Sequence, residues 1–193
     1  MLYIVRHGRT RENALGLLLG HSDPSLDELG LRQAATTAAS IGGIRRVVSS
    51  PLRRARETAD AFGVPVRIDE RWIELDYGEF DGWSRTEVPV DTWTSWRSDL
   101  DWAPAGGESL RELGERVRSG CLELAEEARS ENIVVVTHVS PIKAAFAWAL
   151  GVGDEVGWRC FVATGSVTRI GTTESDPILL GFNDVTHLQD LGG

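Results

Sequence analysis

The sequence has little cysteine and no long apolar run, and both shortages narrow the class of protein. Its 193 residues include two cysteines, Cys121 and Cys160, which suit neither a disulfide framework nor a zinc site. No apolar stretch reaches the roughly 20 residues that a membrane-spanning helix needs. Met1 leads directly into a strand pattern, and the charges at Arg6 and His7 come too early for a signal peptide. We therefore expect a reduced, cytoplasmic protein with no membrane partner.

Positive charge is also scarce. The formal net charge is −9, and the 20 basic residues include a single lysine, Lys143. Nucleic acids favour basic surfaces, so we expect no nucleic-acid partner. The arginines nevertheless form two clusters, which follow the first and second predicted strands: Arg6, Arg9 and Arg11, and Arg53, Arg54 and Arg56. A local cationic pocket in an acidic protein suits a small anionic ligand.

Short apolar segments alternate with helical patterns along the chain. The predicted strands are Leu2–Val5, Arg46–Ser50, Val64–Ile68, Asn132–His138, Phe161–Ala163, Ser166–Ile170 and Ile178–Gly181. The alternation predicts an α/β fold, a three-layer α/β/α sandwich with a mostly parallel central sheet. The length favours one domain over residues 1–193. Residues 70–107 carry five tryptophans and are interpreted as an excursion that covers the active site, with the indoles either in the core or at the substrate mouth.

Polar residues follow three of these strands directly. They are Arg6 and His7, Ser49 and Ser50 with the arginines after them, and Thr137 and His138. Ligands of parallel α/β sheets bind beyond the carboxyl ends of the strands. We therefore expect these side chains to converge on one side of the sheet.

The segment Arg6-His7-Gly8-x-Thr10, with Asn13 three positions on, resembles the signature of the histidine phosphatase superfamily, which includes the cofactor-dependent phosphoglycerate mutases. Three further segments resemble this family in the same order: "SSPLRRARETA", "ELDYGEFDG" and "VVVTHVSPIKA". The last resembles the acid-phosphatase and α-ribazole phosphatase branch. The resemblance implies a phosphoglycerate mutase-like fold.

The resemblance also implies a role for each matching residue. His7 is the nucleophile that carries the phosphoryl group, and Glu74 is the proton donor. His138 is the second histidine, expected to be cationic between arginine-bound phosphate oxygens. The residues expected to bind phosphate are Arg6, Asn13, Arg54 and Thr10. Arginine forks suit phosphate oxygens, neutral imidazole is a competent nucleophile, and we expect no metal and no cofactor.

Several assignments have rivals within the sequence. Arg53 competes with Arg54, and Glu79 competes with Glu74. Thr10 either binds phosphate or orders its loop. Gly8 is expected to let the backbone approach the phosphate closely. The two remaining histidines and the segment "FNDVTHL" are assigned structural roles.

The predicted function is that of a phosphomonoesterase that hydrolyses a small phosphorylated metabolite through a phosphohistidine. The alternatives are phosphoglycerate mutase-type phosphoryl transfer and a non-catalytic module that binds a phosphorylated ligand. A mutase must exclude water from its phosphoenzyme, and the short chain between Glu74 and His138 favours hydrolysis instead. A phosphoprotein phosphatase would have a more open site than the tryptophan-rich excursion suggests. α-Ribazole 5′-phosphate is one candidate substrate by resemblance, and the sequence carries no signal of oligomeric state.

Overall fold

The computed structural model describes residues 1–173 and 176–191. Four residues of the predicted 1–193 domain lie outside that range: Glu174, Ser175, Gly192 and Gly193. The described chain forms a six-stranded sheet. Its strands are β1 (Leu2–Arg6), β2 (Ile44–Ser49), β3 (Val66–Ile68), β4 (Asn132–Thr137), β5 (Val167–Thr172) and β6 (Pro177–Asp184). Their order in the sheet is β3-β2-β4-β1-β5-β6. The first four in this order pair in parallel, and β5 and β6 pair antiparallel, which confirms the prediction of a mostly parallel sheet.

Helices cover both faces of this sheet. They are α1 (Arg11–Ala14), α2 (Glu28–Ser40), α3 (Arg53–Asp60), α4 (Val90–Ser98), α5 (Leu110–Glu127) and α6 (Val139–Leu150). Short 3-10 helices occupy Glu70–Trp72, Gly78–Phe80, Asp154–Arg159 and Thr186–Leu191. In the described part of the chain, none of the helices has the length and apolarity required to cross a bilayer.

Strand β4 shows why the layers form. Alternate side chains of a strand point to opposite faces. Ile133 and Val135 pack with residues of α5 and α6, whereas Val134 and Val136 pack with residues of α3. All four are fully buried. A strand covered on both faces needs a continuous apolar run, which is what residues 133–136 provide.

The register of the parallel strands brings the predicted site together. Arg6 at the end of β1 lies opposite Thr137 at the end of β4, and Ser49 of β2 lies opposite Val136. The residues that follow, among them His7 and His138, therefore leave the sheet at the same edge.

The predicted strand at Phe161–Ala163 is wrong. These residues form no strand, because their backbone groups bond to side chains and not to a neighbouring strand. The carbonyl of Val162 accepts a bond from Arg6, 2.8 Å from Nη1. The amide of Ala163 donates to Oδ1 of Asn183 at 2.7 Å.

Candidate active site

His7 follows β1 directly and is 2% exposed. Its Nδ1 lies 2.7 Å from the carbonyl oxygen of Gly8. A carbonyl only accepts hydrogen bonds, so Nδ1 carries the proton and Nε2 keeps its lone pair. The loop itself is held by α3, because the amide of Gly8 donates to the hydroxyl of Thr58 at 3.0 Å. The first and second family-like segments are therefore joined physically at this bond.

His138 lies beside His7. Its ring centroid is 5.0 Å from that of His7, and the two planes are tilted by 57°. Nε2 of His138 lies 2.7 Å from the hydroxyl of Ser50, whereas Nδ1 is buried and has no hydrogen-bond partner among the described residues. A buried polar atom without a partner costs about 1–3 kcal/mol. A hydrogen-bonding ligand at this nitrogen would relieve that cost.

Both histidines are neutral at neutral pH in this structure. Burial, then the charges of Arg54 and Arg6, place the pKa of His7 well below its ordinary value. Burial and Arg54, followed by His7 itself, do the same to the pKa of His138. The cationic state expected for His138 thus requires a bound anion, whose charge would oppose that of the arginines.

The two predicted phosphate-binding arginines are positioned by backbone carbonyls. Arg54 is fully buried, and its guanidinium donates to the carbonyls of Ser22 at 2.6 Å, Gly20 at 2.8 Å and Leu19 at 3.3 Å. Burial lowers the pKa of Arg6 to about 10, so Arg6 stays cationic at neutral pH. Burial also lowers the pKa of Arg54, and the charge of Glu74 acts against that lowering. Neither arginine forms an ion pair with a carboxylate in the part of the chain described, which leaves their charge available to an anion.

Arg53, the rival of Arg54, points elsewhere. Its side chain is 55% exposed and forms an ion pair with Glu57 one turn along α3, 2.7 Å between Nε and Oε1. The α3 geometry therefore places Arg54 at the predicted site and Arg53 in solvent.

Glu74 lies at the start of α6. One carboxylate oxygen accepts the amides of Leu75 at 2.8 Å and Ser140 at 3.1 Å, and the other accepts the amide of Val139 at 3.1 Å. His138 is the N-cap of α6, so the carboxylate occupies the positive end of the helix dipole beside that histidine. Glu79, its rival, is exposed and contacts the amide of Ala105. The geometry therefore places Glu74, and not Glu79, beside His138.

Thr10 and Asn13 form a reciprocal cap on α1. The amide of Asn13 donates to the hydroxyl of Thr10, and the amide of Thr10 donates to Oδ1 of Asn13, each at 3.2 Å. Asn13 lines the cavity described below. Its side-chain nitrogen, Nδ2, takes no part in this cap. Thr10 is fully buried, and its hydroxyl orders the loop by accepting the amide of Asn13.

Gly8 has a packing reason in addition to the close approach to phosphate that the sequence suggests. A Cβ at Gly8 would lie 2.3 Å from the carbonyl oxygen of Gly30, and a Cβ at Gly30 would lie 2.0 Å from the carbonyl oxygen of Arg9. The loop that carries His7 therefore packs backbone to backbone on the first turn of α2. This contact by itself accounts for both glycines.

A cavity of about 1050 Å³ opens beside these groups. Four of the predicted residues line it: Arg6, His7, Asn13 and Glu74. His138 and Arg54 are fully buried and are not among the residues that line the cavity. Two tryptophans of the excursion, Trp93 and Trp96, also line the cavity and stack with centroids 5.7 Å apart. Trp102 packs against Trp96 outside the cavity lining.

Sequence reasoning missed several groups around the site. Tyr77 lines the cavity, with its hydroxyl 3.4 Å from that of Ser140. Burial raises the pKa of Tyr77, so the phenol remains protonated. Arg116 holds the loop before Glu74 by donating to the carbonyls of Arg71 at 2.7 Å and Ile73 at 2.8 Å. Tyr77 is part of the quoted "ELDYGEFDG" segment, but Arg116 has no such signal, because its role depends on the packing of α5.

The two remaining histidines, His21 and His187, form their hydrogen bonds with groups other than His7. His21 lies 3.0 Å from the carbonyl oxygen of Glu74. His187 lies 3.0 Å from the hydroxyl of Thr37 and 3.1 Å from the carbonyl oxygen of Gly165. Within residues 1–173 and 176–191, no group of three or more histidine, cysteine or acidic side chains is arranged to hold a metal ion.

Comparison with known proteins shows the family to which this chain belongs. The model of the histidine phosphatase superfamily (branch 1) matches residues 2–185. Glucosyl-3-phosphoglycerate phosphatase of Mycolicibacterium vanbaalenii is 36% identical over 210 residues, covering 98% of this chain and 92% of that protein. The bifunctional protein Rv2228c of Mycobacterium tuberculosis is 33% identical over 177 residues, 86% of this chain and 49% of the relative. The chain thus spans about half the length of that relative.

Solved structures share the fold over nearly the whole chain. A mutant phosphoserine phosphatase from Entamoeba histolytica, in complex with phosphoserine, superposes with a TM-score of 0.88 at 27% identity, covering 97% of this chain and 98% of that one. The α-ribazole phosphatase from Shigella flexneri has a TM-score of 0.83 at 25% identity, covering 95% and 96%.

Proposed function

Since this chain belongs to the histidine phosphatase superfamily (branch 1), we propose that it is a phosphomonoesterase in which His7 carries the phosphoryl group. The observation that carries this proposal is the bond from Nδ1 of His7 to the carbonyl of Gly8, 2.7 Å long. It leaves the Nε2 lone pair free on a neutral ring that lies among cationic groups. That combination is what in-line attack on a phosphate dianion requires.

The first step transfers the phosphoryl group to the enzyme. Nε2 of His7 bonds to phosphorus while the bond from phosphorus to the ester oxygen breaks. Glu74 must be protonated in the substrate complex, and it gives this proton to the leaving oxygen. The ring then carries a positive charge, which the hydrogen bond from Nδ1 to the Gly8 carbonyl stabilises. Arg6 and Arg54 would hold the non-bridging oxygens, where charge is concentrated in the transition state.

The second step returns the enzyme to its starting state. Glu74, now a carboxylate, takes a proton from a water molecule, and the water oxygen bonds to phosphorus as the bond to Nε2 breaks. His138 would donate to the phosphate oxygens in both steps. Its hydrogen bond with Ser50 fixes the ring, and its unpartnered Nδ1 has hydrogen-bonding capacity to spare.

The size of the cavity supports a small substrate. About 1050 Å³ accommodates a metabolite rather than a folded protein surface. The names of the similar proteins point the same way, since they are phosphatases of phosphoserine, glucosyl-3-phosphoglycerate and α-ribazole phosphate. We infer that the substrate is a small phosphate monoester.

The proposal is tested by phosphate release from p-nitrophenyl phosphate in the presence of EDTA, with wild type and His7→Ala assayed together. We expect turnover that survives chelation and falls by at least about 10³-fold in the variant. Unchanged activity in His7→Ala would overturn the mechanism. If folded wild type gives no turnover, a narrow specificity, a mutase or a binding module remains. A lasting phosphohistidine after incubation with 2,3-bisphosphoglycerate indicates a mutase, and a panel of metabolite phosphates separates the other two.

A further inference from the structure

Lys143 is the single lysine of the chain, and it lines the candidate active-site cavity. It lies on α6, three residues after Ser140, whose amide binds Glu74. Residues three apart lie on the same helical face. The rise of an α-helix places Lys143 about 4.5 Å further along the axis than Ser140. Lys143 therefore faces the same cavity as Glu74, about one helical turn from the amide that holds that carboxylate.

This lysine is a partly buried cation without a partner. Burial lowers the pKa of Lys143, and the charge of Glu74 acts against that lowering. The group forms no ion pair or hydrogen bond with the residues that the structure describes. A backbone segment also restricts its stem, because a Cβ at Gly157 would lie 3.3 Å from the Lys143 Cβ. A cation is costly to desolvate unless an anion compensates it, so the position suits an external anion.

The charges that line the cavity exceed what one phosphate would balance. Arg85 and Arg97 line it too, both are exposed, and neither pairs with a carboxylate in residues 1–173 or 176–191. Arg97 lies over the ring of Trp158, 5.6 Å from its centroid. The other acidic residue of the lining, Asp154, is already paired with Arg118 at 2.7 Å. Arg6 and Arg54 suffice for a phosphate dianion. Lys143, Arg85 and Arg97 together carry more positive charge than Glu74 can balance, so the lining keeps a net positive charge that the scissile phosphate does not neutralise.

We propose that Lys143, assisted by Arg85, binds a second anionic group of the substrate, a carboxylate or a second phosphate a few bonds from the scissile phosphate. Charge complementarity would then select phosphate esters that carry this group over neutral ones. The inference rests on the proposed function, because it assumes that the scissile phosphate occupies the site beside His7.

The test compares ligands that differ only in the second charge. 3-Phosphoglycerate and glycerol 3-phosphate differ in a carboxylate, and fructose 1,6-bisphosphate and fructose 6-phosphate differ in a phosphate. Dissociation constants are measured by calorimetry on the full chain carrying His7→Asn, which prevents turnover. The same chain is compared with added Lys143→Met, with Lys143→Arg, and with Arg32→Met as a matched loss of charge at an exposed position outside the cavity.

We expect at least one charged ligand to bind about tenfold more tightly than its neutral counterpart. Lys143→Met should bring that ratio close to one, whereas Lys143→Arg and Arg32→Met should preserve it. An effect in the 3-phosphoglycerate pair indicates that the second group is a carboxylate, and an effect in the fructose phosphate pair indicates a phosphate. A ratio near one for both pairs, or a ratio that survives Lys143→Met, would overturn the inference.

Failure of the proposed function gives a different result. If wild type does not hydrolyse p-nitrophenyl phosphate but the ratio depends on Lys143, the chain is a binder with the second anionic subsite. If hydrolysis occurs but the ratio does not depend on Lys143, the phosphatase stands and the subsite does not. Circular dichroism of each variant confirms that a lost ratio does not reflect loss of the fold.

Discussion

His7 and His138 face each other with ring centroids 5.0 Å apart, and each is buried among the same arginines. Two imidazoles in this arrangement resist protonation together, because a proton on one ring raises the cost of a proton on the other. The pair therefore keeps His7, the proposed nucleophile, neutral at pH values where an exposed histidine would be largely protonated.

The first prediction concerns the titration of these rings. We expect both to titrate well below the ordinary histidine pKa of about 6.5, because burial and Arg54 disfavour the charged forms. Two-dimensional NMR of the imidazole protons between pH 4 and 8, with His7→Asn and His138→Asn for assignment, measures the midpoints. Midpoints at or above the ordinary value would contradict the electrostatics of the site.

The second prediction is a loss of stability in mild acid. The unfolded chain binds protons at His7 and His138 as the pH falls below about 6.5, while the folded chain does not, so the free energy of unfolding falls with pH. Between pH 7 and pH 5 each ring contributes a loss of up to about 2 kcal/mol, ending once the folded-state pKa is passed. Urea unfolding at both pH values, on wild type and His138→Asn, should show a smaller loss in the variant. Equal losses of unfolding free energy in wild type and His138→Asn would show that proton uptake by His138 on unfolding does not cause the acid sensitivity.

The third prediction separates acid catalysis from phosphate binding. A p-nitrophenolate leaving group departs without a proton, whereas an alkyl alkoxide needs one. Glu74→Gln should therefore reduce kcat/KM by about 10²-fold or more for an alkyl phosphate, and by much less for p-nitrophenyl phosphate. Glu79→Gln, exposed on the same segment, is the matched control and should match wild type on both substrates. Equal losses on the two substrates in Glu74→Gln would assign this residue a structural role.

A fourth prediction contrasts adjacent arginines. Arg54→Lys removes the planar fork that holds the carbonyls of Leu19, Gly20 and Ser22, and we expect kcat/KM to fall by at least about tenfold. The melting temperature should fall as well, because those carbonyls lose donors. Arg53→Lys should change stability by less than about 0.5 kcal/mol, since its ion pair is exposed. Steady-state kinetics and thermal melts of the two variants test this contrast. Similar losses of kcat/KM and melting temperature in both would refute the choice of Arg54 over Arg53 as the phosphate-binding arginine.

The fifth prediction tests the backbone contact between Gly30 of α2 and the loop that follows His7. Gly30→Ala brings a Cβ to within 2.0 Å of the Arg9 carbonyl oxygen, so the backbone must move. We expect a loss of about 2 kcal/mol or more in the free energy of unfolding. Gly42→Ala meets no atom within 4 Å and should be close to neutral. Chemical denaturation compares them, and a well-folded, fully stable Gly30→Ala protein would show that the contact is softer than its geometry implies.

The parallel part of the sheet was predictable because its signal is local. The apolar run at residues 133–136 and the polar residues after it are readable from a few neighbouring letters, and the structure confirms the mostly parallel sheet. Phe161–Ala163 was mispredicted for the opposite reason. Its apolar side chains resemble a strand, but its hydrogen bonds go to Arg6 and Asn183, which lie far away in sequence.

The site divides in the same way. The family-like segments contain the residues that the structure gathers around His7, and their order along the chain supports each assignment. The choice of Arg54 over Arg53 needs the direction of each side chain on α3. The packing reason for Gly8 depends on the position of α2, and the partners of Arg116 depend on the packing of α5. These are properties of tertiary contacts, which no short segment encodes.

The central place of β1 has a consequence for the synthesis of the protein. This strand lies between β4 and β5, so the residue that precedes His7 gains its sheet neighbours only once residues 132–172 exist. At about 5–20 residues per second a ribosome needs roughly 6–25 s to add the intervening chain before β4 begins. During that interval His7 lacks both His138 and the strand that pairs with Arg6. The chain therefore cannot acquire its proposed activity gradually, and a nascent or truncated product lacking β4 should be inert towards phosphate esters.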